Sequence, residues 1–162
     1  MRTIKVLFLI IAMLVPSITA QARTYVDDET PIEVQIACNK YGNEYNICPE
    51  LLEAICYQES RYHENAIDGT GSCVGLMQVK ASCHRERMNR LGVTDLTDIE
   101  NNVHVGADYI AELFETYEDA GVVLGVYHGE SGAIKNGYNG DYSNYVNSIL
   151  ENSARLERLH GK

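Results

Sequence analysis

Pro49-Glu50-Leu51-Leu52-Glu53-Ala54-Ile55-Cys56-Tyr57-Gln58-Glu59-Ser60 is the stretch on which the fold of this chain turns. Proline suits the first turn of a helix, where its missing N–H is no loss. From there Leu52, Ile55 and Cys56 precede Glu59 by seven, four and three residues, so all four share one helical face. A carboxylate on that apolar stripe is out of place. Burying its ionised form unpaired is so unfavourable that such a group keeps its proton, finds a partner or lines a cleft. The C-terminal end of a helix adds the negative pole of the helix dipole, which also favours the protonated form. Glu59 is therefore a candidate general acid. The alternatives are a salt-bridged or simply exposed glutamate at a helix end.

Helical patterns extend in both directions. Thr30-Pro31-Ile32-Glu33 reads as a capping box with proline at the first helical position, and the helix it opens should run to about Tyr41, stopped by Gly42 and Asn43. The helix begun by Pro49 ends near Glu59 or Ser60, and a loop bearing Gly69, Gly71 and Gly75 follows. The Gly69 to Gln78 stretch fits a small hairpin. A third helix covers roughly Ala81 to Leu91, dense in Arg85, Arg87 and Arg90 and closed by Gly92. Thr97 to Glu100 reads as a second capping box, after which Ile99, Val103, Gly106, Ile110, Leu113 and Tyr117 repeat with helical spacing. A short apolar segment, Val122 to Tyr127, precedes a run of glycines. Tyr142, Tyr145, Val146, Ile149 and Leu150 mark a final amphipathic helix fraying toward Lys162. Alternating strand patterns are scarce, and no internal repeat or low-complexity tract occurs. The expected fold class is all-α, about six helices in a single domain.

The first residues carry Arg2 and Lys5, an apolar run from Val6 to Val15, and Pro16 before Ala20-Gln21-Ala22. This is the layout of a secretory signal peptide, 1–22, cut after Ala22. A membrane anchor is the rival reading, but about ten apolar residues fall short of the ~20 that span a bilayer as a helix. The remaining 23–162 suits one compact domain with a core. The chain has 13 basic and 23 acidic residues, and the signal holds two of the basic ones, so the exported part carries 11 minus 23, a formal charge of −12. Such a surface repels nucleic acid and anionic lipid.

All five cysteines lie in the exported part, where disulfides persist. The preferred pairing is Cys38 with Cys48 and Cys73 with Cys83, each flanking a short loop, with Cys56 left on the apolar helix face as a packed thiol. Zinc would be the other use of cysteines near His63 and His84, yet no Cys-x-x-Cys spacing exists. No metal and no cofactor are implied.

Four short motifs occur in order: Glu59-Ser60 closing an apolar helix, Gly75-Leu76-Met77-Gln78 after a glycine-bearing loop, Val126-Tyr127-His128-Gly129 ending a short apolar helix, and Tyr145-Val146 in the last helix. Each alone is weak. Together they resemble the catalytic domain of the soluble lytic transglycosylase family, over about Glu33 to Leu150. The resemblance implies a lysozyme-like fold of the goose type, with its helices around a sugar-binding cleft. It also implies peptidoglycan as partner, cut at the β-1,4 bond between N-acetylmuramic acid and N-acetylglucosamine. Glu59 takes the part of the single acid/base catalyst. Closure of a 1,6-anhydro ring on the muramic acid then replaces attack by water, so a second catalytic carboxylate is not obligatory, unlike in the two-carboxylate glycosidases.

Carried over residue by residue, the resemblance makes Gly75 a point of close backbone approach to sugar, and Leu76, Met77 and Gln78 part of the substrate-binding wall. Tyr127 and Tyr145 match tyrosines near the catalytic carboxyl. His128 stands where the family usually has asparagine. Ser60 reads as a helix-end hydroxyl bonded to backbone beside the site, and Ser72 as a cleft residue orienting the reacting sugar. Core packing is the bland reading for Met77 and the two tyrosines. Glu64, Asp68 and Glu130 are the nearby acids that a second-carboxylate mechanism would use, or else solvated loop charges. Two other functions fit the same scaffold: a muramidase that hydrolyses the bond, and a glycan-binding accessory module without catalysis. A small exported, monomeric domain of this kind also resembles transglycosylases that open the wall for a conjugation or type IV secretion apparatus.

Overall fold

The computed structural model describes residues 30–162; the expected signal peptide lies outside the described residues. Seven helices and one small hairpin follow one another in the described chain: α1 (Ile32–Tyr45), α2 (Pro49–Ser60), β1 (Cys73–Val74), β2 (Val79–Lys80), α3 (Arg85–Leu91), α4 (Ile99–Thr116), α5 (Ala120–His128), α6 (Ala133–Tyr138) and α7 (Asn144–His160). The mainly α fold class holds, with α6 as the additional helix. No helix among the described residues is long and apolar enough to cross a membrane.

Helix α2 forms the centre. Leu52, Ile55 and Cys56 have no exposed surface, as their spacing requires, and α2 packs between α7 and α1. Helix α1 lies in turn on α4, whose Val103 and Ile110 are also fully buried. These apolar faces enclose one core, and the hairpin and α5 close over it at the C-terminal end of α2.

Local chemistry differs from the expectations at several helix ends. Helix α1 does not stop at Gly42 but continues to Tyr45, with Asn46 as a left-handed cap (φ 56°). Gly42 serves packing instead: a Cβ there would sit 2.8 Å from the Ile47 carbonyl oxygen and 3.0 Å from Pro49 Cγ, so only glycine lets the chain turn back this closely. Neither capping box forms. Pro31 occupies the N-cap of α1, and the Thr30 hydroxyl is bonded to Tyr62 Oη at 2.9 Å. The α4 cap is Asp98, which accepts from Asn101 N, while Thr97 donates to Asp95. A carboxylate one residue further on reaches the free N–H groups better than the threonine. At the other terminus α7 runs to His160 without fraying. Lys162 and His160 both reach the buried Glu50, at 2.9 and 2.7 Å.

The expected disulfides are absent: Cys38, Cys48, Cys56, Cys73 and Cys83 are free thiols. Cys38 is buried in the core with no exposed surface, whereas Cys48 is the partly exposed N-cap residue of α2. Cys38 instead neighbours the Cys56 thiol across the α1–α2 interface, and burial followed by that neighbour pushes its pKa well up. Cys48 donates to Glu50. In the hairpin Cys73 stands opposite Lys80, and Cys83 lies a turn beyond it.

Candidate active site

Glu59 lies in the last turn of α2, half-buried, on the wall of a cavity of about 730 Å³. Arg61, at φ 53°, then turns the chain away in the left-handed conformation, so the helix ends on the cleft. Burial pushes the Glu59 pKa up, opposed by a hydrogen bond from Tyr145 and by the His128 ring; the net direction is upward. Tyr145 Oη donates to Glu59 Oε1 in a very short contact. Tyr145 sits in the first turn of α7, where the hydroxyl of its N-cap Ser143 accepts from Val146 N.

The hairpin forms the opposite wall. Its turn, Gly75 to Gln78, is held from beneath by Asn102 of α4, a buried hub that accepts from Met77 N at 2.8 Å and donates to the carbonyls of Val74 and Leu96, also at 2.8 Å. Gly75 adopts φ 80° and packs on the Asn102 side chain, where any Cβ would clash; that close approach is to the protein's own interior. Leu76 and Met77 have no exposed surface. The Met77 carbonyl accepts from Tyr127 Oη at 2.7 Å, tying the hairpin to α5. Gln78 lines the cavity, with its amide nitrogen donating to the Ala66 and Gly75 carbonyls.

Of the residues singled out in the sequence, Glu59, Gln78, Tyr127 and His128 line the cavity, and Tyr145 reaches it through its bond to Glu59. Ser60 is buried and donates to the Cys56 carbonyl. Ser72 serves the loop, its N–H donating to Asp68 at 2.6 Å. Asp68 touches the cavity, but its carboxylate accepts from the Thr70 hydroxyl and from the N–H groups of Cys73 and Ser72, which hold its pKa down at about 2.

Tyr109, His84, Arg87 and Glu112 also line the cavity and were missed in the sequence. Tyr109 is one position off the core stripe of α4, and its ring lies 5.6 Å from that of Tyr127 and 4.7 Å from that of His84. The Arg87 guanidinium sits 4.9 Å above the Tyr109 ring and donates to Asp108 at 2.7 Å and to Glu112. It also donates to His84 Nδ1 at 3.1 Å; burial and this neighbouring charge lower the His84 pKa. The tyrosine's residue type and helical spacing were legible, but its aim was not, because the neighbouring helix defines it.

Comparison with known proteins places these observations. Residues 36–148 match the family described as Transglycosylase SLT domain. Similar curated proteins include the "X polypeptide" of Escherichia coli, 38% identical over 93 residues (54% of each chain), and a "Transglycosylase" of Enterobacteria phage PRD1, 30% identical over 115 residues (68% of this chain, 42% of that one). Another is a "Membrane-bound lytic murein transglycosylase F" of Maricaulis maris, 38% identical over 71 residues, 44% of this chain and 14% of that one. The chain thus spans about half the length of the first of these relatives. Among solved structures, an inactive mutant of the lytic transglycosylase Slt of Pseudomonas aeruginosa aligns with a TM-score of 0.68 at 16% identity, over 80% of this chain and 24% of that one. The fold is the one expected, and the chain belongs to the transglycosylase SLT domain family.

Proposed function

We propose that this protein is an exported peptidoglycan lytic transglycosylase that acts with one catalytic carboxyl, Glu59. The observation that carries this reading is the environment of that carboxyl: it is shielded on the cleft wall, shifted toward its protonated form, and held by a phenol. A protonated Glu59 would donate to the glycosidic oxygen as the C1–O bond breaks, and the sugar's acetamido carbonyl would meet the charge developing at C1. The new carboxylate would then take the proton of the muramic C6 hydroxyl while that oxygen attacks C1 and closes the 1,6-anhydro ring. The glutamate returns to its starting form and no water is consumed. Acid/base assistance of this kind contributes ~10²–10⁴ in rate.

The other acids around the cleft favour a single-carboxyl mechanism. Asp68 is occupied by its loop, Glu112 by Arg87, and Glu130 by Ser143 and His128. Gln78, Tyr127 and the newly found Tyr109 and His84 supply polar and aromatic surface against which sugar rings can lie. A wall substrate fits export by a signal peptide, and assistance to a conjugation or type IV secretion apparatus is a role consistent with so small a domain.

Product analysis by mass spectrometry on purified peptidoglycan tests this. Wild type is expected to release fragments ending in 1,6-anhydromuramic acid, and E59Q to lose at least about 10² in turnover. Fragments with reducing muramic ends would instead make the enzyme a hydrolase. Undiminished cleavage by E59Q would remove Glu59 from the mechanism.

A further inference from the structure

The carboxyl at the reaction centre is held by Tyr145, and Tyr145 is itself held. The His128 ring lies flat on the Tyr145 ring, with centroids 3.7 Å apart and planes 6° from parallel. His128 Nδ1 is 3.2 Å from Glu130 Oε1, and the same oxygen accepts from Ser143 Oγ at 2.5 Å. A carboxylate can only accept, so both partners donate to it, which fixes the hydrogen of the imidazole on Nδ1 and the plane of the ring. Ser143 is the N-cap of α7 and stands two residues before Tyr145. The end of α5 and the start of α7 are thus fastened to each other through Glu130, with the stacked rings beside the fastening.

Stacking has a mechanical consequence. The direction of a phenol O–H is set by two side-chain torsions, and a turn of the ring toward the side His128 occupies would take the hydroxyl off Glu59. With a second ring in contact across its face, that side is closed. The stack does not follow from helix packing alone, because His128 is partly exposed and faces the cavity.

We propose that His128, oriented by Glu130, is a positioning residue whose stacked imidazole keeps the Tyr145 phenol on Glu59, so that His128 and Tyr145 act on turnover as one unit. The proposal rests on Glu59 being the reacting carboxyl but not on whether the product is anhydro or hydrolysed. Its test is a double-mutant cycle on a soluble glycan oligomer, counting bonds cut whatever the new end. H128A is expected to lower kcat about tenfold, as small misplacements of reacting groups do, with KM changed less than twofold. In a Y145F background the same substitution should change kcat less than twofold, because the unit is already broken. H128F, which keeps a flat ring to stack on Tyr145 but no nitrogen for Glu130, should recover only part of the H128A loss, the remainder being the share of the Glu130 bond; an H128F equal to wild type would remove Glu130 from the proposal.

An equal tenfold loss in the Y145F background would overturn the proposal, as would a loss confined to KM, which marks a sugar contact, or an H128F no better than H128A. Should H128A melt below the assay temperature, H128S takes its place in the cycle under the same criteria. Reducing ends on the wild-type products would refute the transglycosylase reading while leaving the cycle to decide this one.

Discussion

Burial acts on the Glu59 carboxyl in one direction, and the Tyr145 hydrogen bond and the His128 ring act in the other. Burial favours its protonated form, and the hydrogen bond from Tyr145, which is stronger to a carboxylate than to a neutral carboxyl, favours the ionised one; burial prevails. A general acid with a raised pKa loses activity as pH rises through that pKa, so turnover should fall on the alkaline side. Removing the phenol with Y145F withdraws one influence favouring ionisation. The alkaline limb should then move to higher pH, although the plateau rate drops about tenfold for want of positioning. A pH–rate profile of the two proteins checks the sign: a limb displaced downward, or not at all, would mean that Tyr145 does not bond the reacting carboxyl.

Among the elements, the hairpin depends most on a residue outside it. Two strands of two residues cannot hold themselves in water, and Asn102 supplies from α4 the bonds that keep the turn in place. N102A would leave the Met77 N–H and the Val74 and Leu96 carbonyls without this partner, at a cost of about 2–3 kcal/mol. Chemical denaturation should show that loss, and kcat should fall with it because the wall opposite Glu59 loosens. Full stability in N102A would show that the turn is held without Asn102.

At the scale of the whole molecule, the Glu50 clamp joins the end of α7 to the start of α2. The Glu50 side chain is only 2% exposed. Burial raises its pKa, but hydrogen bonds from Lys162, Cys48 and His160 outweigh that and bring it down to about 2 from an ordinary 4.5. A folded-state pKa below the unfolded value gives stability that is present above about pH 4.5 and lost as pH falls toward 2. That contribution is on the order of 3 kcal/mol. E50Q should therefore melt lower at neutral pH and lose less on acidification; an acid transition identical to wild type would remove Glu50 from the account. Charge acts differently on substrate. With a formal charge of −10 on the whole chain and −12 on 23–162, the protein would gain nothing from long-range attraction to the anionic wall proposed as its substrate. Turnover should change less than about twofold between low salt and 0.15 M, where screening reaches ~8 Å. Collapse of activity over that range would point to ionic docking instead.

The apolar spacing of 49–60 and of α4 determined where the helices lie, because a helix buries one stripe whatever its partners, and it determined that Glu59 ends such a stripe. The order of the four motifs likewise brought out Gln78, Tyr127, His128 and Tyr145. What surrounds them was decided only in three dimensions. Whether Thr97 or Asp98 caps α4, whether Cys38 meets Cys48 or Cys56, and whether Gly75 faces sugar or Asn102 all depend on distances between residues remote in the chain. Tyr109 and Arg87 entered the cleft for the same reason: a side chain's type and spacing are local properties, but the wall it lines is made by other helices.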